Sequence, residues 1–478
     1  MYNIRIQLEN EKRGDEMVKV REQDIATLSL GLQQGKFTSV ELTTAYLERM
    51  AFFSTPPFNV NAVVLVNPDA LAEAETLDGE RQHGHVRGPL HGIPILVKDN
   101  IDVAGLPTTA GALALTNNVA TQDAQLVQKL REAGAIILGK TNLSEFAHFK
   151  SDIEPSGFSV VGGQTINAIF PDLTPSGSSS GSGVAASLSL AAITIGTETN
   201  GSILAPAQAN SVVGLKPTVG AWPVVGILPL AHSQDAPGPI GRTVADVATV
   251  WQALGGATTA SVSDVTSDVT VLQPDETDVL AQHVVNQMMA NLTSFTFKRY
   301  DAVLPPSDEA AEYQRLLFEF KHDLDEYLRE RGRNQSLTDI IAYNNADLAT
   351  RAPFGQNLLL AAESTTGDLS SPVYQDVDRR ARNYATTSLE KLLTASDVVV
   401  GADFRLVDFA AVAGYPSISI PFGQFGDVTF GGLASIIAVA RPHEEAKLLT
   451  FARAAEEIGQ RVIPSLGEES ETMAWQRD

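Results

Sequence analysis

Apolar residues recur at helical spacing over residues 24–33 and 38–52, each stretch preceded by a residue able to cap a helix, and residues 61–66 read as a strand. Residues 69–81 are helical again. From Gly88 the pattern turns to strand, then to a loop rich in Gly, Pro and Thr. A helix over 122–132 follows, ended by Gly134, and then a strand over 135–138. The alternation predicts α/β organisation.

Residues 157–211 break this rhythm, being dense in Gly, Ser, Thr and Ala with few charges. Small residues let backbones approach closely and leave amides free to point at a ligand, so the chemistry is expected here. Within this stretch 181–192 is almost wholly small and apolar, which predicts a helix buried on all sides. Beyond Gly255 the composition shifts to Thr, Ser, Val and Asp. An amphipathic helix from Ser307 then carries Tyr313, Leu317, Phe320, Leu324 and Leu328, with an acidic outer face. Residues 358–362, a helix over 374–393, a strand over 397–400 and residues 415–421 restore α/β character. Neither an internal repeat nor a long linker interrupts the 478 residues, which favours one compact domain.

Composition adds exclusions. With 44% hydrophobic and 19% charged residues the chain has ample material for a large core. The 34 basic against 57 acidic residues leave a formal charge of -23, which repels phosphate backbones and anionic membrane surfaces, so neither a nucleic-acid nor a membrane partner is expected. The absence of cysteine excludes disulfides, thiolate catalysis and thiolate metal sites, and the eight histidines form no H-E-x-x-H cluster. Residues 1–16 lack the apolar stretch of a signal peptide, and no run approaches the roughly 18 apolar residues of a membrane span. A cytoplasmic location is expected, with Met17 a candidate start because helical patterning begins only near Glu22.

Two motif matches fail on context. Gly134-Ala-Ile-Ile-Leu-Gly139-Lys140-Thr141 fits the P-loop pattern, but a helix precedes Gly134 and the residues between the glycines form a buried β-type run. Gly177-Ser178-Ser179-Ser180-Gly181 fits the nucleophile elbow of α/β-hydrolases, yet Pro171 and Pro175 prevent the required strand before it, and no histidine stands out as a base.

A third constellation is longer. It comprises Gly92-Ile-Pro-Ile-Leu-Val-Lys98-Asp99, Pro175-Ser-Gly-Ser178-Ser-Ser-Gly-Ser182-Gly, Gly196-Thr-Glu-Thr-Asn-Gly-Ser202-Ile and Val213-Gly-Leu-Lys-Pro-Thr-Val-Gly220. Further matches lie at Ser233-Gln-Asp235, Leu358-Leu-Leu-Ala-Ala-Glu363 and Ala413-Gly-Tyr-Pro-Ser417. In these motifs the chain resembles the amidase signature family. The resemblance implies one large α/β domain spanning 1–478, with a central mixed, twisted sheet covered by helices on both faces. It implies a catalytic core over 20–255 and 395–478 and a segment over 256–400 that shapes the substrate pocket.

The resemblance further makes Ser202 the nucleophile, Ser178 a bridging serine in a cis peptide, and Lys98 the terminal base. It assigns the backbone amides of Thr199, Asn200, Gly201 and Ser202 to an oxyanion hole, and implies neither metal nor organic cofactor. Amide hydrolysis needs a hydroxyl that loses its proton as it attacks and an acid that protonates the departing nitrogen. A Lys98 desolvated by Ile95, Leu96 and Val97 can do both through Ser178. Ser179, Ser180 and Ser182 are expected to be hydrogen-bonding supports, and Asp99 and Asp235 to orient neighbours.

The family often has Gly at the positions of Ser176, Ser180 and Asn200, and a basic residue at Leu204. The Ser176, Ser180 and Asn200 departures resemble a subgroup that includes peptide amidases, while Leu204 and Trp222 leave the substrate open. Expected partners are a small-molecule or peptide amide, with the chain a monomer or homodimer. The aromatic helix around Phe318 and Tyr327 suggests an apolar side-chain site, although such a stripe at helical spacing is more often plain core. Two rival readings remain: a glutaminase subunit of an amidotransferase complex, and an inactive binding protein on the same fold.

Overall fold

The computed structural model describes residues 18–257, 268–300, 308–425 and 432–466. Met17 and Ser307, the expected start of the long helix, lie outside the described residues. The strands are β1 (Val63–Val66), β2 (Ile93–Lys98), β3 (Ala135–Thr141), β4 (Phe158–Ser159), β5 (Gly163–Gln164), β6 (Ile193–Glu198) and β7 (Val213–Lys216). They continue as β8 (Ala236–Gly241), β9 (Asp268–Leu272), β10 (Thr296–Tyr300), β11 (Val398–Gly401), β12 (Ser417–Gln424) and β13 (Leu433–Ala440). Among the described residues eleven of these form one sheet, ordered β1-β3-β2-β6-β8-β7-β12-β13-β11-β9-β10, with β4 and β5 a separate hairpin. The sheet is mixed: β2 runs parallel to β3 and β6, whereas β8 and β12 pair antiparallel to their neighbours.

Side chains alternate across a strand, so a sheet buried on both faces carries apolar residues at successive positions of its central strands. In β11, Val398 and Val400 enter one apolar cluster and Val399 another; in β13, Ile436 and Ala438 separate from Ile437 and Val439 in the same way. Helices cover each face. Leu448, Leu449 and Phe451 of Glu445–Ile458 and Val284, Val285 and Met288 of Val279–Asn291 join the first cluster. Ala381, Ala385 and Leu389 of Pro372–Leu392 and Leu406 and Phe409 of Arg405–Ala413 join the second.

The helices Glu309–Glu330, Leu337–Asn345 and Asn357–Glu363 build a third core of their own. In it Leu317, Phe320, Leu324 and Leu328 pack against Leu115, Phe146, Leu228 and Leu230, which stand on short helical turns and loops between the strands. This cap roofs the loop cluster that carries the candidate chemistry. Residues 268–300 instead extend the common sheet as β9 and β10.

Local signals place several boundaries. Asp24 accepts from the Thr27 amide, and Thr38 and Glu41 form a capping box, so the first two helices run Ile25–Gln33 and Ser39–Phe53. The helix expected over 181–192 spans only Ser180–Ser187, although the whole stretch is buried. Ser189 turns the chain at φ +54 so that β6 can start at Ile193, and Arg242 donates to the carbonyls of Ala186 and Ala191, both at 3.1 Å. The strand expected over 135–138 continues to Thr141 because both edges of β3 are paired. No helix among the described residues is long and apolar enough to cross a membrane.

Candidate active site

Lys98 is the last residue of β2 and is completely buried. Its ammonium reaches Ser178 Oγ at 2.7 Å, Thr197 Oγ1 at 3.0 Å and the Thr197 carbonyl at 3.2 Å. Burial pushes its pKa down from 10.5 to about 7; the charges of Asp235 and Glu198 pull in the opposite direction. A buried amine with mainly hydroxyl and carbonyl neighbours is thus poised to exchange a proton near neutrality.

Ser178 is buried and follows a cis peptide bond from Gly177. Its carbonyl accepts from the Ser144 amide at 3.1 Å. Ser179 straps this loop to the others: its amide donates to the Ser202 carbonyl at 3.0 Å, and its hydroxyl donates to the Thr197 carbonyl at 2.9 Å. Lys98 and Ser178 therefore touch directly, and Ser202, 7% exposed, is held to the same loop by backbone. The elbow reading of Ser179 fails, since its hydroxyl is wholly buried and engaged with β6.

The turn from Thr199 to Ser202 leaves the end of β6. Gly201 sits at φ +77, a left-handed conformation that favours glycine. Glu198 accepts from the amides of Ile203 at 2.8 Å and Leu204 at 3.0 Å, fixing the exit of the turn. Thr199 Oγ1 donates to Asp235 at 2.5 Å, and the other Asp235 oxygen accepts from the amides of Leu230 and Ala231 at 2.8 and 3.0 Å. Burial nonetheless pushes Asp235 up to about 7. Beside these groups lies a recess lined by Asn100, Ala147, Thr199, Ile227, Leu230 and Asp235.

Asp99 follows Lys98 but serves a different neighbour, pairing with buried Lys140 at 3.1 Å and accepting from Thr109. Lys140, the lysine of the P-loop match, is thereby occupied, and its motif lies inside β3. Ser182 meets Thr141 across 2.7 Å and Ser180 donates to the Ser176 carbonyl, so both are supports.

Leu204 is buried beside Ile203, Ala207 and Val407, and Trp222 stacks on Trp251 with ring centroids 5.7 Å apart, so both departures are core residues. The aromatic helix is core as well: Phe318 packs on Tyr374, and the Tyr327 hydroxyl donates to Asp102 at 3.1 Å. His232, Glu319 and Asp323 converge closely enough to suggest a metal site. The Asp323 hydrogen bond pushes His232 up to about 9, and the carboxylates already accept from the His232 and Ser233 amides and the Tyr374 hydroxyl. An imidazolium ion pair fits this cluster better.

Thr197, Ser144, Gln234 and Glu312 border the site without having been singled out by sequence. Thr197 and Gln234 offer a signal, Thr197 standing five residues before Ser202 within the third motif segment and Gln234 inside the Ser233-Gln-Asp235 match. The others come from remote stretches with no local pattern to mark them.

An amidase family model matches residues 41–402. The crystal structure of native peptide amidase from Stenotrophomonas maltophilia superposes with a TM-score of 0.85 at 38% identity, covering 93% of this chain and 98% of that one. A protein of Arabidopsis thaliana named as a probable amidase is 34% identical over 474 residues, covering 90% of this chain and 91% of its own. A glutamyl-tRNA(Gln) amidotransferase subunit from Natranaerobius thermophilus is 28% identical over 489 residues, covering 92% of this chain and 96% of its own. A family match across most of the chain, joined to near full-length likeness in sequence and fold, establishes that this chain belongs to the amidase signature family and is an amide hydrolase.

Proposed function

We propose that the chain hydrolyses a carboxylic amide through Ser202, Ser178 and Lys98 by way of an acyl-enzyme. The neutral Lys98 amine takes the Ser178 hydroxyl proton as Ser178 takes that of Ser202, and the freed Ser202 oxygen forms a bond to the amide carbon. The resulting oxyanion lies against the backbone amides of the 199–202 turn, where one well-placed donor is worth about 3 to 4 kcal/mol. On collapse the carbon-nitrogen bond breaks and the proton returns through Ser178 to the leaving amine. Water then enters by the same relay, releasing acid and regenerating Ser202. The grip of the Ser144 amide on the Ser178 carbonyl, and of Asp235 on Thr199, supports these roles. The observation that carries the reading is the 2.7 Å contact of a fully buried Lys98 with Ser178.

The substrate class we favour is a small or peptide amide, including C-terminal peptide amides, because the peptide amidase relative shares 38% identity across 93% of the chain. The apolar Ile227, Leu230 and Ala147 give the small recess beside Thr199 and Asp235 an apolar wall for substrate contact. Residues 256–400 would shape the approach, chiefly through the 309–363 cap, and a cytoplasmic enzyme that works without a second protein fits the reading.

A fluorophosphonate should label Ser202, and a panel of peptide, aryl and aliphatic amides should release amine or ammonia. Ser202→Ala should lose the label and at least about 10³-fold in kcat. Full activity in Ser202→Ala would overturn the assignment. Hydrolysis of glutamine alone, together with copurification of a second protein, would favour the glutaminase reading.

A further inference from the structure

The backbone of the 199–202 turn is where an oxyanion would sit, yet two of its residues are gripped from outside by polar side chains that the hydrolytic chemistry does not require. Asn200 Nδ2 donates to Glu312 Oε1 at 3.0 Å. Gln234 Nε2 donates to the same Glu312 oxygen at 3.0 Å and to the Thr199 carbonyl at 3.1 Å. The Gln234 carbonyl oxygen accepts from Arg315, and Arg315 reaches Asp378 at 3.2 Å. Gln234 and Arg315 are wholly buried and Glu312 is 9% exposed.

The chemistry of the partners fixes each orientation. A guanidinium can only donate, so Gln234 must turn its oxygen toward Arg315. Its NH₂ then faces two acceptors, the Thr199 carbonyl and the Glu312 carboxylate. Glu312 in turn accepts from the side chain of Asn200. Glu312 and Arg315 lie on the helix Glu309–Glu330, and Asp378 on Pro372–Leu392. Both helices belong to the segment 256–400, outside the core strands that carry Lys98 and Ser178.

We propose that Glu312, Gln234 and Arg315 are positioning residues that clamp the Thr199–Asn200 backbone in its oxyanion-accepting geometry, so that the pocket segment is coupled to transition-state stabilisation as well as to substrate binding. This rests on the oxyanion role of residues 199–202 given above. Asp235 anchors the Thr199 hydroxyl, and Glu198 and Ser179 anchor the exit of the turn, but the Thr199 carbonyl and Asn200 lie between those anchors, and amides that stabilise a developing charge are effective only when already oriented. Glu312 supplies that constraint through Asn200, and Gln234 supplies it through the Thr199 carbonyl.

The test uses the full chain with Glu312→Ala, Gln234→Ala, the double variant and Glu312→Gln. It reads kcat and KM on a primary amide, the rate of fluorophosphonate acylation at Ser202, and the melting temperature. Each alanine variant should lower kcat and the acylation rate about 10-fold or more, with KM changed less than about 3-fold. The double variant should fall little further than the worse single one, because the two residues hold one turn. Glu312→Gln, whose carbonyl still accepts from Asn200, should recover most of the loss. Unchanged kcat and acylation rate in both alanine variants would overturn the clamp. So would losses tracked fully by KM or melting temperature, or not rescued by Glu312→Gln. Should Glu312→Ala fail to fold, Asn200→Ala tests the same link by removing the donor to Glu312: it should slow acylation with KM changed less than about 3-fold, and an unchanged acylation rate would overturn the clamp. A wild-type chain that neither turns over amides nor is labelled at Ser202 defeats the hydrolytic mechanism and the clamp together. Normal wild-type turnover with unaffected variants defeats the clamp alone.

Discussion

The sharpest prediction concerns Lys98 and the pH dependence of turnover. An ordinary lysine is neutral in only about 3 molecules in 10⁴ at pH 7, whereas one with a pKa of about 7 is half neutral, a gain of roughly 10³-fold in available base. The shift from 10.5 to about 7 corresponds to about 5 kcal/mol, to order of magnitude, between the two protonation states of a completely buried side chain. The sign follows from the role. With the neutral amine as the proposed base, kcat/KM should be lost as pH falls through about 7 and hold on the alkaline side, rising roughly tenfold between pH 6 and pH 8. Linkage gives an independent readout. The unfolded chain keeps this proton up to about pH 10.5 while the folded chain releases it near 7, so this group makes stability rise with pH between those values. The assay is kcat/KM for one amide at fixed ionic strength, with single-turnover acylation to show that chemistry limits the rate. Lys98→Arg, which keeps the charge but cannot lose its proton near neutrality, should be inactive throughout. A flat profile with chemistry limiting, or an active Lys98→Arg, would refute the reasoning.

Other expectations follow from the same geometry. Asp235 raises the Lys98 pKa by its charge, so Asp235→Asn should move the acid limb of the profile to lower pH. It should also reduce kcat, because an amide cannot accept from Thr199 and from both the Leu230 and Ala231 amides as the carboxylate does; a pH–rate profile checks both. Gly139→Ala would put a Cβ 2.1 Å from the Leu65 carbonyl oxygen of β1 and should cost about 3 kcal/mol or more in urea unfolding. Gly35→Ala, at φ +65 with open space around it, should cost only about 1 to 2 kcal/mol.

Gly139 also shows how a motif can mislead. In the linear string it completes a phosphate-binding pattern; in the fold it is glycine because β1 crosses so close that no side chain fits. The strand reading of 135–138 and the helices near 25, 39 and 374 were legible because capping and periodicity act over a few residues. The terminal strand Leu433–Ala440, the helix Glu445–Ile458, and the joining of β9 and β10 to the common sheet went unread. Their apolar runs suit any buried element, and only pairing with distant strands selects one.

The sequence by itself determined the α/β character, the wealth of apolar material for a large core, and, through motif resemblance, the nomination of Lys98, Ser178 and Ser202. Tertiary structure decided the rest. It brought Lys98 to Ser178 across eighty positions, buried the amine deeply enough to lower its pKa, assigned Asp99 to Lys140 instead, and set Gln234 and Glu312 against the 199–202 turn. Burial and charge proximity are properties of three-dimensional neighbours, and a neighbour far away along the chain leaves no mark on its local pattern.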